Sequence, residues 1–584
     1  MISNWPTNEF KIAVNMAGAV SAGAYTAGVL DFLMEALEEW EKAKIAFRAH
    51  LANPAPQGAF ANPVPLHEVS IEAFSGASAG GMCAAIASVM VQRPFDHITD
   101  PKAVGTNNTF YESWVNKIDI SGLLGSDDLK GGKPLVSLLD STIIDEIAQY
   151  ALTFSGASTP AYVSKSLTLF LTLTNVRGVP YRLYDDPSPS LDEFITYYAD
   201  RLRFETVQNG GTSSCATAKP LPLDQAGAPG WTLLQSAAKA TGAFPLFLAP
   251  RALERDLCDF DVPMWIPVSG PDPSPPIPSD LPGPPDTSRI QTLNVDGGVT
   301  DNDPFDLAHD FLASHNPRAI PGTPPSNPRG PLDANCAVIS VAPFPSVDRF
   351  DPNFDVEKAQ GLFTMLGRLA SVLISQSRFQ GESLGVLASG AAFSRFIIAP
   401  SDDGNAAVGA GSPLQCARLG AFGGFMERSF RAHDFLLGRR NCQKFLQSYL
   451  RLPAGNPVMA GGLASTGTYA AAIQSQLAVD RPDGVTVEPV GKVWMPVIPL
   501  VGSAANPISS PARGTISKAA LARIADAVIA RIDAVKTPLL AGAPAAWLLK
   551  SFVGTVCTWP TRLLVRSKIV GALSKSFGSD VVES

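Results

Sequence analysis

The 584-residue sequence is poor in charge and in cysteine. Charged residues make up 17% of it, the formal net charge is −8, and no block of lysine and arginine occurs. A face that neutralises nucleic-acid phosphates needs such a block, so nucleic acid is not an expected partner. Seven cysteines without a C-x-x-C pair give neither a zinc site nor a disulfide framework. The six histidines, at 50, 67, 97, 309, 315 and 433, form no H-E-x-x-H or other metal spacing. The first ten residues lack the basic region and apolar core of a secretory signal, so a cytoplasmic location is expected. Two charge-free stretches fail as membrane spans, which need about 20 predominantly apolar residues. Residues 73–92 are mostly small, and residues 493–512 are broken by Pro496, Pro499, Pro507 and Pro511.

What the chain does hold is turn-forming residues and alternating elements. Its 49 glycines and 50 prolines exceed average usage but stay below the ~25–30% of disordered chains, which implies a globular protein with long loops. Residues 10–15 read as a strand, 18–23 as a glycine-rich turn and 28–40 as a helix. A second strand over 69–74 runs into glycine and serine, then a small-residue helix from Met82. Residues 166–174 alternate Leu and Phe with Thr or Ser as a strand does, 231–240 are helical in spacing, and 292–295 form a short strand ending at Asp296. A further strand is expected over 338–341 and a helix over 358–387. Strands alternating with helices predict an α/β fold with a mostly parallel sheet, interrupted by Pro-rich loops near 267–285 and 317–331.

Three units point to chemistry. Gly76-Ala77-Ser78-Ala79-Gly80 is a G-x-S-x-G between a strand and a helix, where glycines permit a sharp turn and the helix N-terminus faces the serine. Gly381-Glu382-Ser383-Leu384-Gly385 matches the same pattern but sits in a helical spacing. Ser155-Gly156-Ala157-Ser158 repeats the local sequence without the second glycine, so neither carries the site. Asp296-Gly297-Gly298 places a carboxylate at a strand end, where α/β ligand sites form. Gly18-Ala19-Val20-Ser21-Ala22-Gly23 offers backbone N–H groups to an anion, with no Gly-Lys-Ser/Thr of a P-loop.

In chain order, glycine-rich turn, then G-x-S-x-G, then D-G-G, the three units resemble the patatin-like phospholipases, serine–aspartate lipid acyl hydrolases. Ala238-Lys239-Ala240-Thr241-Gly242-Ala243-Phe244-Pro245 looks like the family's alanine-rich helix ending in proline. Asp296 to Pro304 resembles its D-G-G-x-x-x-N-x-P run, and His433-Asp434-Phe435-Leu436-Leu437-Gly438-Arg439-Arg440-Asn441 is similar to a segment of larger bacterial members. The resemblance covers about residues 10–450. It departs at the first turn, where the family has Gly-Gly-Gly and a basic residue and this chain has Ala19, Val20, Ser21 and Ala22.

The resemblance implies a three-layer α/β/α catalytic domain over 1–450, with its site at the C-terminal ends of adjacent strands. It implies Ser78 as nucleophile, Asp296 as general base, and an oxyanion hole from the N–H groups of Gly18, Ala19, Val20 and Ala79. The substrate would be a lipid or acyl ester, with no metal or organic cofactor. Two rivals use the same residues differently. One is a catalytically impaired lipid-binding or scaffolding protein, and the other a Ser-Asp-His triad in which His433 follows Ser78 and Asp296 in chain order.

Residues 451–513 are expected to be an irregular connecting segment, and 514–584 a helical extension. Residues 514–536 have the spacing of an amphipathic helix. Residues 537–579 carry Lys550, Arg562, Arg566, Lys568 and Lys575 and no acidic residue, among many apolar ones. Such a segment is suited to peripheral contact with an anionic membrane, or to covering the acidic catalytic core.

Overall fold

In a computed structural model of the chain, the described residues are 5–53, 60–182, 194–208, 218–260, 289–322, 325–344, 356, 392–402, 412–480, 493–541 and 559–583. The expected loop at 267–285 and the expected helix at 358–387, with its second G-x-S-x-G, lie outside them.

The chain opens with β1 (Glu9–Met16), a 3-10 turn (Val20–Ala22) and α1 (Gly23–Ala52). β2 (Glu68–Gly76) and α2 (Ser78–Met90) follow, then a π-helical segment (Glu112–Lys117) and α3 (Thr142–Ala151). β3 (Val163–Arg182) and β4 (Phe194–Val207) make a long antiparallel pair, with β5 (Lys219–Pro222) beside β4. α4 (Pro229–Thr241) leads to the antiparallel pair β6 (Arg251–Asp256) and β7 (Arg289–Asp296). α5 (Phe305–His315), β8 (Cys336–Val341), β9 (Arg395–Ile398) and α6 (Arg428–Ser448) complete this part.

The strand order is β5-β4-β3-β2-β1-β8-β9, with β6 and β7 joined through β3. Five of the strand pairs are parallel, from β3 through β2, β1 and β8 to β9 and between β4 and β5, so the sheet is mostly parallel and the architecture is three-layer α/β/α. The antiparallel arm of β6 and β7 is not foreseen by the alternation of strands and helices. Side chains on β1 divide between two cores as a period of two requires. Phe10, Ile12, Val14 and Met16 join the large cluster with α1 and α2, while Ala13 faces Phe305, Ala308 and Leu312 of α5. Small residues on that side let α5 sit close to the sheet.

α1 and α6 cross with their backbones in contact. A Cβ on Gly28 would lie 1.9 Å from the Phe435 carbonyl oxygen, and one on Gly438 would lie 2.2 Å from that of Tyr25. Buried at this crossing, Arg439 pairs with Asp31 and, at 2.5 Å, with Glu35. The segment around His433 to Asn441 is thus a helix–helix joint.

The stretch 451–513, expected to be irregular, holds a two-stranded pairing of Arg451–Pro453 with Trp494–Pro496 and the helices Pro457–Ala464 and Ala470–Gln476. Leu452, Met459, Ile473 and Met495 enter the main core from it. These elements are too short, and too rich in glycine and proline, to show a period.

The C-terminal helices α7 (Lys518–Ala541) and α8 (Trp559–Phe577) pack on each other. Leu521, Ile524, Leu573 and Phe577 form a second core with Ile118, Leu123 and Phe430. Residues 542–558, which hold Trp547 and Lys550, lie outside the described residues. No helix among the described residues is long and apolar enough to cross a membrane.

Candidate active site

β2 and β7 deliver the two central side chains from opposite directions along one edge of β3. β2 runs parallel to β3 and stops with Gly76 beside Leu171, whereas β7 runs antiparallel and stops with Asp296 beside Leu173. β4 covers the other edge at both positions, so the two tips face each other across Thr172. The strands are therefore not hydrogen-bonded neighbours, as the reading of adjacent strand ends supposed. They meet end to end because β7 belongs to the antiparallel arm.

Ser78 is the first residue of α2 and has φ +54°, in the left-handed region that costs a non-glycine residue on the order of 1–2 kcal/mol. The turn is tight enough that a Cβ on Gly80 would lie 2.1 Å from the Met16 carbonyl oxygen. The Ser78 N–H donates to Thr241 Oγ1 at 2.9 Å, and Ser78 Oγ donates to Asp296 Oδ2 at 2.6 Å. Asp296 Oδ1 accepts from the Gly298 N–H at 2.7 Å, and its backbone is tied by Asp296 N–H to the Ala243 carbonyl and by Thr174 Oγ1 to its own carbonyl. Burial pushes the Asp296 carboxyl up to about 7, against the lowering effect of the hydrogen bonds from Ser78 and Gly298. A carboxylate so placed is a better base than an exposed one, since its proton affinity is matched to neutral pH.

The first turn closes the other side. Gly18 sits so close to Asn302 and Ser78 that a Cβ would lie 2.0 Å from Asn302 Oδ1 and 3.1 Å from Ser78 Cβ. Its N–H, which the resemblance implies as an oxyanion donor, donates to the Asn302 carbonyl at 3.0 Å and is thus engaged within the chain. Val20 has φ +49° and lines the cavity with Ser78, Ala79 and Asp296. The N–H groups of Ala19, Val20 and Ala79 have no acceptor among the described residues. Ser21 donates to the Ala421 carbonyl and accepts from the Gly424 N–H at 3.0 Å.

Above the pair lies a cavity of about 880 Å³, its open mouth included, walled by α2, α3, α4 and the π-helical segment. Met82, Ile86, Ile144, Leu248 and Phe425 represent a lining that is almost wholly apolar. Lys239 is its basic residue, and it shares Asp145 with Arg251 at 3.0 and 2.9 Å. Of the five non-glycine residues with positive φ among the described residues, Val20 and Ser78 line this cavity. Backbone strain of this kind concentrates at functional sites.

His433 is placed elsewhere. Its Nδ1 meets Asp434 Oδ1 at 2.8 Å, and Asp434 accepts the N–H groups of Gln415 and Cys416. No hydrogen bond joins His433 to Ser78 or Asp296 among the described residues, so the order Ser78, Asp296, His433 does not become a triad in space. The Ser155–Ser158 repeat lies in a loop, with Gly156 at φ +127°. Among the described residues, no group of three His, Cys, Asp or Glu side chains is arranged to hold a metal ion.

Thr241 and Asn302 belong to motifs recognised in the sequence, but their contacts were not legible there. Asn15 had no signal beyond its place near a strand end. It accepts from Ser75 Oγ at 2.9 Å and donates to Ser340 Oγ and Asp303, tying three strands to the loop beyond Asp296.

No family model matches the chain. It is 33% identical over 549 residues to the uncharacterized protein y4iI of Sinorhizobium fredii, which covers 86% of this chain and 72% of that protein. The chain belongs to the family of that protein. Among solved structures, VipD from Legionella pneumophila aligns over 96% of this chain and 91% of its own, at 12% identity and a TM-score of 0.19. That likeness is too low to carry an argument.

Proposed function

We propose that this chain is a lipid acyl hydrolase working through a Ser78–Asp296 dyad and an acyl-enzyme, as its resemblance to the patatin-like phospholipases implies. The observation that carries the reading is the 2.6 Å hydrogen bond from Ser78 Oγ to a buried carboxylate at the floor of an apolar cavity. Asp296 takes the Ser78 proton as the oxygen attacks the ester carbonyl carbon. The negative charge that develops on the carbonyl oxygen is held by the N–H groups of Ala19, Val20 and Ala79, assisted by the N-terminus of α2. Collapse of the tetrahedral adduct expels the alcohol, which receives the proton from Asp296. Water then gives a proton to Asp296 and attacks the acyl-enzyme, and the proton returns to Ser78 as the acid leaves. The Gly298 N–H bond to Oδ1 holds the carboxylate so that Oδ2 faces the serine throughout.

The cavity supplies the substrate class. An apolar lining leaves an acyl chain in surroundings that favour its transfer from water, by about 0.8 kcal/mol for each buried methylene. A polar or charged acyl group would lose its hydration without replacement.

The test is covalent and kinetic. A fluorophosphonate probe should label Ser78, and Ser78→Ala and Asp296→Asn should each lower p-nitrophenyl ester turnover by orders of magnitude. His433→Ala should not, provided that it folds. Absence of labelling in well-folded wild-type protein would instead favour a lipid-binding protein with a silent site.

A further inference from the structure

The cavity mouth is framed by the stretch before α3 and by a turn after α4, in which the N–H groups of Phe247 and Leu248 both donate to the Phe244 carbonyl. The Leu138 N–H donates to the Leu246 carbonyl at 2.8 Å, and the Leu139 N–H to the Phe247 carbonyl at 3.0 Å. Leu139, Phe244 and Leu248 line the cavity, whereas Leu138, Leu246 and Phe247 do not. These three are 40%, 76% and 38% exposed, and Val136 two residues upstream is 54% exposed. The lip is thus apolar inside and outside.

Leu246 is unfavourable twice over. It is the most exposed of the large apolar residues among those described, and its φ of +69° lies in the left-handed region. Asparagine or glycine would meet the backbone requirement and suit water better. A leucine kept there is explained by a second medium that takes up its side chain.

The surroundings indicate which medium. The segment leading to Leu138 carries Lys130 and Lys133, both exposed, with Gly131 and Gly132 between them at φ +75° and +73°. Lys130 meets Asp127 at 2.7 Å in solvent. An exposed apolar patch with exposed cations a few residues upstream on the same segment fits an anionic bilayer, where the apolar groups enter the acyl boundary and the ammonium groups meet the head groups. The patch also continues directly into the cavity, so a chain leaving a bilayer would stay in apolar contact.

We propose that the outer face of this lip, Leu138, Leu246 and Phe247 with the lysines upstream of Leu138, seats the cavity mouth on an anionic lipid surface. The choice of occupant rests on the acyl-hydrolase reading. It places the docking surface at the mouth, and not only in the basic C-terminal segment.

The experiment separates docking from chemistry. Ser78→Ala protein, which cannot consume the lipid, is co-sedimented with phosphatidylcholine vesicles with and without phosphatidylglycerol. It should pellet with the anionic vesicles, and less so at high salt. Adding Leu138→Asp and Leu246→Asp should cut partitioning by about tenfold or more, as the loss of two inserted apolar side chains requires. In the chain that keeps Ser78, the same pair should leave turnover of soluble p-nitrophenyl butyrate within about twofold. Leu246→Asn serves as the folding control, because it should raise Tm by relieving the backbone while still weakening vesicle binding. Unchanged pelleting of the double variant would overturn the proposal. So would a concentration-dependent dimer abolished by the same substitutions, which would make the lip a self-association surface. If wild-type protein does not turn over p-nitrophenyl butyrate, the acyl-hydrolase reading fails while the pelleting result still decides the docking.

Discussion

Ser78 Oγ and Asp296 Oδ2 stand 2.6 Å apart although they are 218 positions apart in the chain. Their meeting is fixed by strand register, since Gly76 pairs with Leu171 and Asp296 with Leu173. Gly297, immediately beyond, packs so closely that a Cβ would lie 2.2 Å from the Thr172 carbonyl oxygen. The pairing of Ser78 with Asp296 is therefore set by the sheet, with both strand tips held against β3. A site built on such elements keeps its geometry better than one built on loops.

Activity should rise with pH through an apparent value near 7, because Asp296 must be ionised to accept the serine proton and its carboxyl is raised to about 7 by burial. Asp301 is raised to about 7 as well, by burial and by its neighbours Asp303 and Asp306. A pH–rate profile of Asp301→Asn should keep the midpoint of wild type. A midpoint that moves with this substitution would assign the titration to Asp301.

The same raised value has a cost in stability. Between about pH 4 and pH 7 an unfolded Asp296 gives up its proton while the folded one keeps it, so its contribution is intact at acid pH and is lost as pH rises through the folded value. Asp296→Asn removes this loss. Its Tm should exceed that of wild type at pH 8, by a margin corresponding to a few kcal/mol at most, and the two should converge near pH 4. Thermal melts across that range check it, and a constant difference would refute the assignment.

Thr241→Val should lower kcat by about tenfold or more and stability by about 1–3 kcal/mol. The substitution is nearly isosteric but removes the acceptor of the Ser78 N–H, leaving a buried donor at a residue already held at φ +54°. Thr241→Ser should restore much of both, because it returns the hydroxyl. Denaturant unfolding and ester kinetics on the two variants measure the effect.

Arg531 of α7 is a polar link from the C-terminal helices to the cavity wall, beside the apolar contacts of Leu521 and Ile524. Buried to 3% exposure, it donates to the carbonyls of Gly125, Ser137 and Leu138 and to both oxygens of Asp128 at 2.7 Å, so its guanidinium hydrogens are fully used. Arg531→Leu strands the Asp128 charge and frees the segment that carries Leu139. Stability should fall by on the order of 3 kcal/mol. Turnover of long-chain esters should fall more than that of the butyrate, since the wall they contact is loosened. An equal loss for both chain lengths would confine Arg531 to a structural role.

The local pieces were legible in the residue pattern. Strand–glycine–serine–glycine–helix places Ser78 at the start of α2, and Asp-Gly-Gly places Asp296 at a strand end, because glycine spacing and strand alternation are short-range properties of the chain. The parallel centre of the sheet followed from strands alternating with helices. What those pieces face depends on contacts between distant parts of the chain. Tertiary structure joins β2 and β7 end to end through an antiparallel arm, turns the Gly18 N–H to Asn302, gives Ser78 its partner Thr241, and takes His433 to Asp434. It also makes the 451–513 stretch and the C-terminal helices part of the packed cores. None of these is written in a local pattern. Each depends on which distant backbone atoms fill a hydrogen-bond or packing vacancy, and that is known only when the whole chain has closed on itself.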